Sequence, residues 1–174
     1  MKKIHKGVLM FLLSTIALAF MPVSQSMAVD TETFSYKSPD FTMTVSQWPD
    51  QKSKNPDAVL RRLGNPAGLP TLEVTVSKLP DGVVYPKDLA KVLIKGLEDM
   101  WEASDCKILY EREIKLKDGT PAYELEVKWQ HPAVLIYTYT VYIHKDKKLI
   151  GVFVSSIKEV SDELKQYPLS LTLK

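Results

Sequence analysis

The residues able to carry a reaction are few in this 174-residue chain, and they stand apart from one another. There is one cysteine, Cys106, and outside the N-terminal leader there are two histidines, His131 and His144. A nucleophile needs a base within reach. Neither Cys106 nor the pair Ser155-Ser156 lies in a nucleophile elbow or beside a histidine in the chain. The plain reading of the two serines is the polar end of a strand. His144-Lys145-Asp146 offers two metal ligands but no third, and no HExxH or CxxC spacing occurs. Glu124 and Glu126 share one strand face, which is also how any solvated strand would place them. No glycine-rich phosphate loop is present, and Arg61-Arg62 and Lys145, Lys147 and Lys148 read as solvated turns. No cofactor is indicated.

One charge order is unusual. Lys87, Lys91 and Lys95 come first in a helical stretch, and Glu98, Asp99 and Glu102 crowd its end, with Asp105 just beyond. A helix macrodipole prefers the reverse order, by roughly 0.3–1 kcal/mol per charge. A screened surface tolerates this at little cost. The functional reading is a contact surface, formed by Glu98, Asp99, Glu102 and Asp105, for a basic partner or a cation.

The elements that must position these groups follow from periodicity. Phe41, Met43 and Val45 alternate with polar residues and predict a strand, with a short one at Phe34 and Tyr36 before it. Ala58–Leu63 and Leu72–Val76 flank Gly64-Asn65-Pro66-Ala67-Gly68 and predict a hairpin with a long turn. After Tyr85-Pro86, Leu89, Leu93, Gly96, Leu97 and Met100 fall on one side of a helix and the charges on the other. Gly96 at mid-face predicts a close approach of helix to sheet, since it otherwise costs about 1 kcal/mol relative to alanine. Lys117-Asp118-Gly119 joins two strands, the second running through Tyr123, Leu125, Val127 and Trp129 with Glu124, Glu126 and Lys128 on its outer face. Val134–Ile143 is apolar on both faces and belongs at the centre of a sheet. Asp146-Lys147-Lys148 turns it into Leu149–Val154. Ser161 caps a short last helix running to Gln166, with Pro168 as its stop. Hairpin connections and few helices give one α+β domain: an antiparallel sheet of about six strands carrying one long amphipathic helix and a short C-terminal one.

Composition bounds the rest. At 45% hydrophobic and 25% charged residues the chain is an ordinary globular one, and a single cysteine excludes an internal disulfide. Lys2, Lys3 and Lys6, the apolar run Val8–Met21 and the small-residue stretch ending Ser26-Met27-Ala28 read as a signal peptide over residues 1–28, cut after Ala28. The run is shorter than the ~20 residues that span a bilayer. Location is then periplasmic or secreted, with no stable membrane insertion after cleavage. The leader takes three of the 23 basic residues and none of the 21 acidic ones, so the domain at 29–174 is nearly neutral and lacks the field that nucleic acid would need. In an oxidising compartment a lone thiol is a liability, so Cys106 is expected to be buried.

A first strand ending in Trp48-Pro49 comes before a strand leading to Leu79-Pro80-Asp81-Gly82 and a single amphipathic helix. The hairpin Lys117-Asp118-Gly119-Thr120-Pro121-Ala122-Tyr123-Glu124 follows, with Trp129 at its far end, and then the Lys147-Lys148-Leu149-Ile150 turn and strand. This order resembles the PsbP-like fold. That fold is shared by the extrinsic photosystem II subunit, the Mog family of Ran-binding proteins and a branch of bacterial exported proteins. The resemblance spans most of Phe34–Lys174. It implies an α/β/α sandwich with six or seven antiparallel strands, non-enzymatic binding or assembly, and no catalytic residues to transfer. Only two helices are evident here, fewer than full cover of both sheet faces requires. The expected function is a non-catalytic exported binding or assembly protein with a partner in the cell envelope. The alternative is a small exported hydrolase or metal-binding protein whose site is assembled from scattered strands. A deep pocket holding His131 or His144 beside a carboxylate or Cys106 would favour that alternative.

Overall fold

The computed structural model describes residues 30–65 and 69–174. The expected leader with its cleavage site, and residues 66–68, lie outside the described residues. Among the described residues nine strands and two helices follow in order: β1 (Thr31–Lys37), β2 (Asp40–Ser46), β3 (Ala58–Leu63), β4 (Thr71–Lys78), α1 (Leu89–Trp101), β5 (Ser104–Lys115), β6 (Pro121–His131), β7 (Val134–Lys145), β8 (Lys148–Ser156), α2 (Asp162–Leu169) and β9 (Thr172–Leu173). Six form one antiparallel sheet in the order β3-β4-β8-β7-β6-β5, and β1-β2-β9 form a second, smaller one.

The expected single sheet of about six strands is thus accompanied by a second sheet. The reason lies in Phe41, Met43 and Val45 of β2, which are at most 2% exposed. They pack face-on against Leu72, Val74, Val152 and Val154 and do not join the sheet edge. The C-terminal Leu171 is fully buried in the same cluster. This face of the large sheet is therefore covered by β1-β2-β9 together with α2, and not by a helical layer.

The opposite face carries α1. Leu89, Leu93 and Leu97 bury against Tyr123, Leu125, Val127 and Trp129 of β6 and against Ile136 and Tyr142 of β7. The helix begins at Leu89, four residues after Tyr85. Asp88 precedes it, and its carboxylate accepts the Val84 N–H at 2.9 Å. The helix ends at Glu102, whose φ of 55° is the left-handed turn that lets Ala103 N–H donate back to Leu97 O. In α2 Ser161 caps as expected, accepting from Leu164 N–H, but Pro168 lies inside the helix, which runs on to Leu169. Asp146 and Lys147 both have positive φ, the conformation a two-residue hairpin turn requires.

Candidate binding groove

One helix cannot cover a six-stranded face. β6 and β7 lie under α1, while β4 and β8 extend beyond it, and a groove of about 680 Å³ runs between the helix flank and those strands. Its apolar wall is Val92, Gly96 and Met100, spaced by one helical turn each, with Trp101 at the end. Its floor is polar, because β4 alternates: Leu72, Val74 and Val76 turn into the core beneath, and Thr71, Glu73, Thr75 and Ser77 turn up into the groove. Phe153 of β8 crosses the floor. Gly151 beside it has no room for a side chain, since a Cβ would stand 2.7 Å from the Phe153 ring and 2.9 Å from Thr75 Oγ1.

A buried ion pair sits at the groove's edge. Glu73 is 7% exposed. Its Oε2 accepts from Arg61 at 2.6 Å and from Ser53 Oγ at 2.8 Å. The Arg61 guanidinium lies 4.9 Å from the centre of the Trp101 ring, so the cation is held by a carboxylate on one side and an aromatic face on another. At the far end Trp129 Nε1 donates to Thr138 Oγ1, which is also bonded to Ser155 Oγ at 2.9 Å.

Gly96 does not serve a close approach. A Cβ there would meet only the Met100 terminal methyl at 3.6 Å, an ordinary contact. The residue opens into the groove and not onto the sheet.

The sequence-derived candidates are placed as follows. Glu98, Asp99 and Glu102 are exposed on the outer side of the α1 C-terminus, and Asp105 is exposed at the start of β5. Asp99 is paired with Lys95 at 2.9 Å. Among the described residues no three of His, Cys, Asp and Glu gather closely enough to hold a metal ion. Cys106 is half-buried, not buried, because β5 is an edge strand. Burial, followed by Glu98 and Asp105, raises its pKa, which disfavours the thiolate a nucleophile needs. His144 is exposed and stacks loosely on Tyr85. His131 lines the groove with Ser155, but Ser155 bonds Thr138 and His131 Nδ1 accepts from Ala133 N–H. No hydrogen bond joins a nucleophile to a base there among the described residues.

Glu124 and Glu126 are not water-facing; each is 3% exposed. α2 closes over them. Tyr139 Oη donates to Glu124 at 2.5 Å, Arg112 pairs with Glu124, and Lys165 of α2 donates to Glu126 at 2.7 Å and to Tyr110 Oη at 3.4 Å. Lys165 also lies over the rings of Tyr110 and Tyr139.

The chain has the PsbP-like fold. Its structure is similar to the solution structure of cyanobacterial PsbP (CyanoP) from Synechocystis sp. PCC 6803, with a TM-score of 0.65 and 14% identity over 88% of this chain and 100% of that one. A Pseudomonas aeruginosa protein described as of unknown function and a putative regulator gives a TM-score of 0.41 and 13% identity, covering 72% of this chain and 82% of that one. No family model matches the chain, and no curated protein matches it in sequence. No helix among the described residues is long and apolar enough to cross a membrane.

Proposed function

We propose that this is an exported, non-catalytic binding protein whose working surface is the groove beside α1 and whose partner lies in the cell envelope. The observation that supports this reading is the uncovered half of the α1 face: about 680 Å³ of mainly apolar space over a floor with a few fixed polar groups, the usual make-up of a ligand site. A hydrolase reading has His131 and Glu73 in the same groove to recommend it. It lacks a base bonded to Ser155 and a thiol poised to ionise. Glu98, Glu102 and Asp105, on the far side of the same helix end, are the residues proposed for a second contact with the partner, with Asp99 drawn toward Lys95.

The test is site-specific photocrosslinking in the native envelope. A photoreactive residue at Met100, in the groove, is expected to capture envelope material, and one at Ile157, 53% exposed and outside the groove, is not. Equal capture from both positions would overturn the reading.

A further inference from the structure

We infer that the groove takes an uncharged amphiphile: an apolar chain lying along Val92, Gly96 and Met100, and a head group that both donates and accepts hydrogen bonds, of the carboxamide type, seated at the Arg61–Glu73 pair. This deepens the groove reading and rests on it.

The tail half of the inference comes from Gly96. A glycine at the middle of a helix, here on its half-buried flank, costs about 1 kcal/mol relative to alanine. Such a cost is ordinarily offset by a close packing that a side chain would spoil, and here there is none, because a Cβ meets only one flexible methyl at 3.6 Å. What a side chain at Gly96 would fill is the groove itself. Met100 and Val92, one turn on either side, leave a notch at Gly96 in an otherwise apolar wall.

The head half comes from how the pair is bonded. Both hydrogen bonds to Glu73 end on Oε2, so Oε1 and the remaining Arg61 N–H groups make no hydrogen bond among the described residues, though both side chains line the groove. A carboxylate oxygen and a guanidinium N–H side by side complement a group with one donor and one acceptor. The pair is neutral as a whole. An ammonium head is attracted by Glu73 and repelled by Arg61, and a carboxylate head meets the reverse, so neither gains what a neutral amide gains without losing its hydration. Trp101 against Arg61 places the pair at the same end of α1 as Met100, which joins head site and tail site in one cavity.

The experiment titrates the domain with dodecanamide below its solubility limit, and with dodecylammonium and dodecanoate below their micelle concentrations. It reads the fluorescence of Trp101 and Trp129, both of which line the groove. Dodecanamide is expected to bind saturably and at least tenfold tighter than either charged probe. Gly96→Leu should abolish that binding while the protein stays folded. Glu73→Gln should turn the preference toward dodecanoate, and Arg61→Gln toward dodecylammonium, an exchange that a merely structural pair would not produce. Equal affinity for all three heads, or dodecanamide binding that survives Gly96→Leu, would overturn the inference. So would binding only to phosphatidylcholine vesicles and never to the free amide. If photocrosslinking from Met100 succeeds while dodecanamide does not bind, the head-and-tail assignment falls and the groove reading stands.

Discussion

Glu73 on one face of the large sheet and Glu124 and Glu126 on the other are all nearly buried, at 7%, 3% and 3% exposure, and each is held by a cation. The settings differ. Glu124 takes a tyrosine hydroxyl on one oxygen and Arg112 on the other, and Lys165 clamps Glu126 from above with Tyr110. Glu73 takes both its bonds on one oxygen and opens onto 680 Å³ of space. The same chemistry thus sits under a helix on one face and beside the larger groove on the other. Glu126, like Glu73, is bonded through one oxygen, but Lys165 and Tyr110 lie over it, whereas Glu73 lines the groove beside α1.

The largest effects test whether each face is what it is taken to be. Leu93 is 5% exposed against β6, and Leu93→Asp should cost more than about 4 kcal/mol and unfold the domain, whereas exposed Lys91→Ala should stay within about 0.5 kcal/mol. Chemical denaturation with circular dichroism checks both. On the other face, Lys165→Met leaves Glu126 charged and unpaired. With Lys165 20% exposed, the cost should be toward the lower end of the usual range, about 3 kcal/mol, and adding Glu126→Leu should restore most of it. A silent Lys165→Met would make the clamp decorative and weaken the contrast between the faces.

Alkaline pH gives a smaller, graded effect. Burial and the bond to Glu124 raise the pKa of Tyr139 well above the usual phenol value. Burial, with Glu113 nearby, pushes Tyr85 up to about 12. Burial alone lowers the Lys165 pKa, but its bonds to Glu126 and Tyr110 leave it raised overall. All these groups hold their protons more tightly when folded. Their stabilisation is therefore complete below about pH 10, where the unfolded chain is also protonated, and is lost as pH climbs toward the folded values. Melting temperature should fall steeply between pH 9.5 and 11 on a buffer-series scan (a range chosen about the usual ~10 of tyrosine). Tyr139→Phe should flatten that fall. The smallest expected effect is at the α1 terminus. Replacing Glu98, Asp99 and Glu102 by Gln, Asn and Gln removes charges that oppose the dipole and should raise stability by a few tenths to about 1 kcal/mol, less what the exposed Lys95–Asp99 pair gives back.

Much of the fold was legible because its signals are local. The alternation in β2 and β4, the Asp118-Gly119 turn and the apolar face of α1 all reappear where the sequence puts them. Glu124 and Glu126 were misread because alternation reports only that a face is polar, not what covers it. Their cations come from Arg112 across a strand pairing and from Lys165, 39 residues beyond Glu126. The groove has no sequence signature of its own, since it arises where a second covering helix would sit and where strands β4 and β8 run on past α1. The polar series Glu73, Thr75 and Ser77 and the mid-helix Gly96 both line it, but alternation alone does not say what faces a polar strand side, and a mid-helix glycine equally fits a close approach to the sheet. Only the geometry showed that Gly96 faces the groove and not the sheet.

Gly96→Leu tests that orientation most directly when thermal melting and photocrosslinking from Met100 are read on the same sample. A higher melting temperature is expected, because leucine is the better helix former and a Cβ at this position meets only the Met100 methyl at 3.6 Å. Loss of the captured envelope material is expected at the same time. A lower melting temperature with capture unchanged would contradict that orientation, since Gly96 would then serve the packing of α1 on the sheet and the groove would not be the binding site.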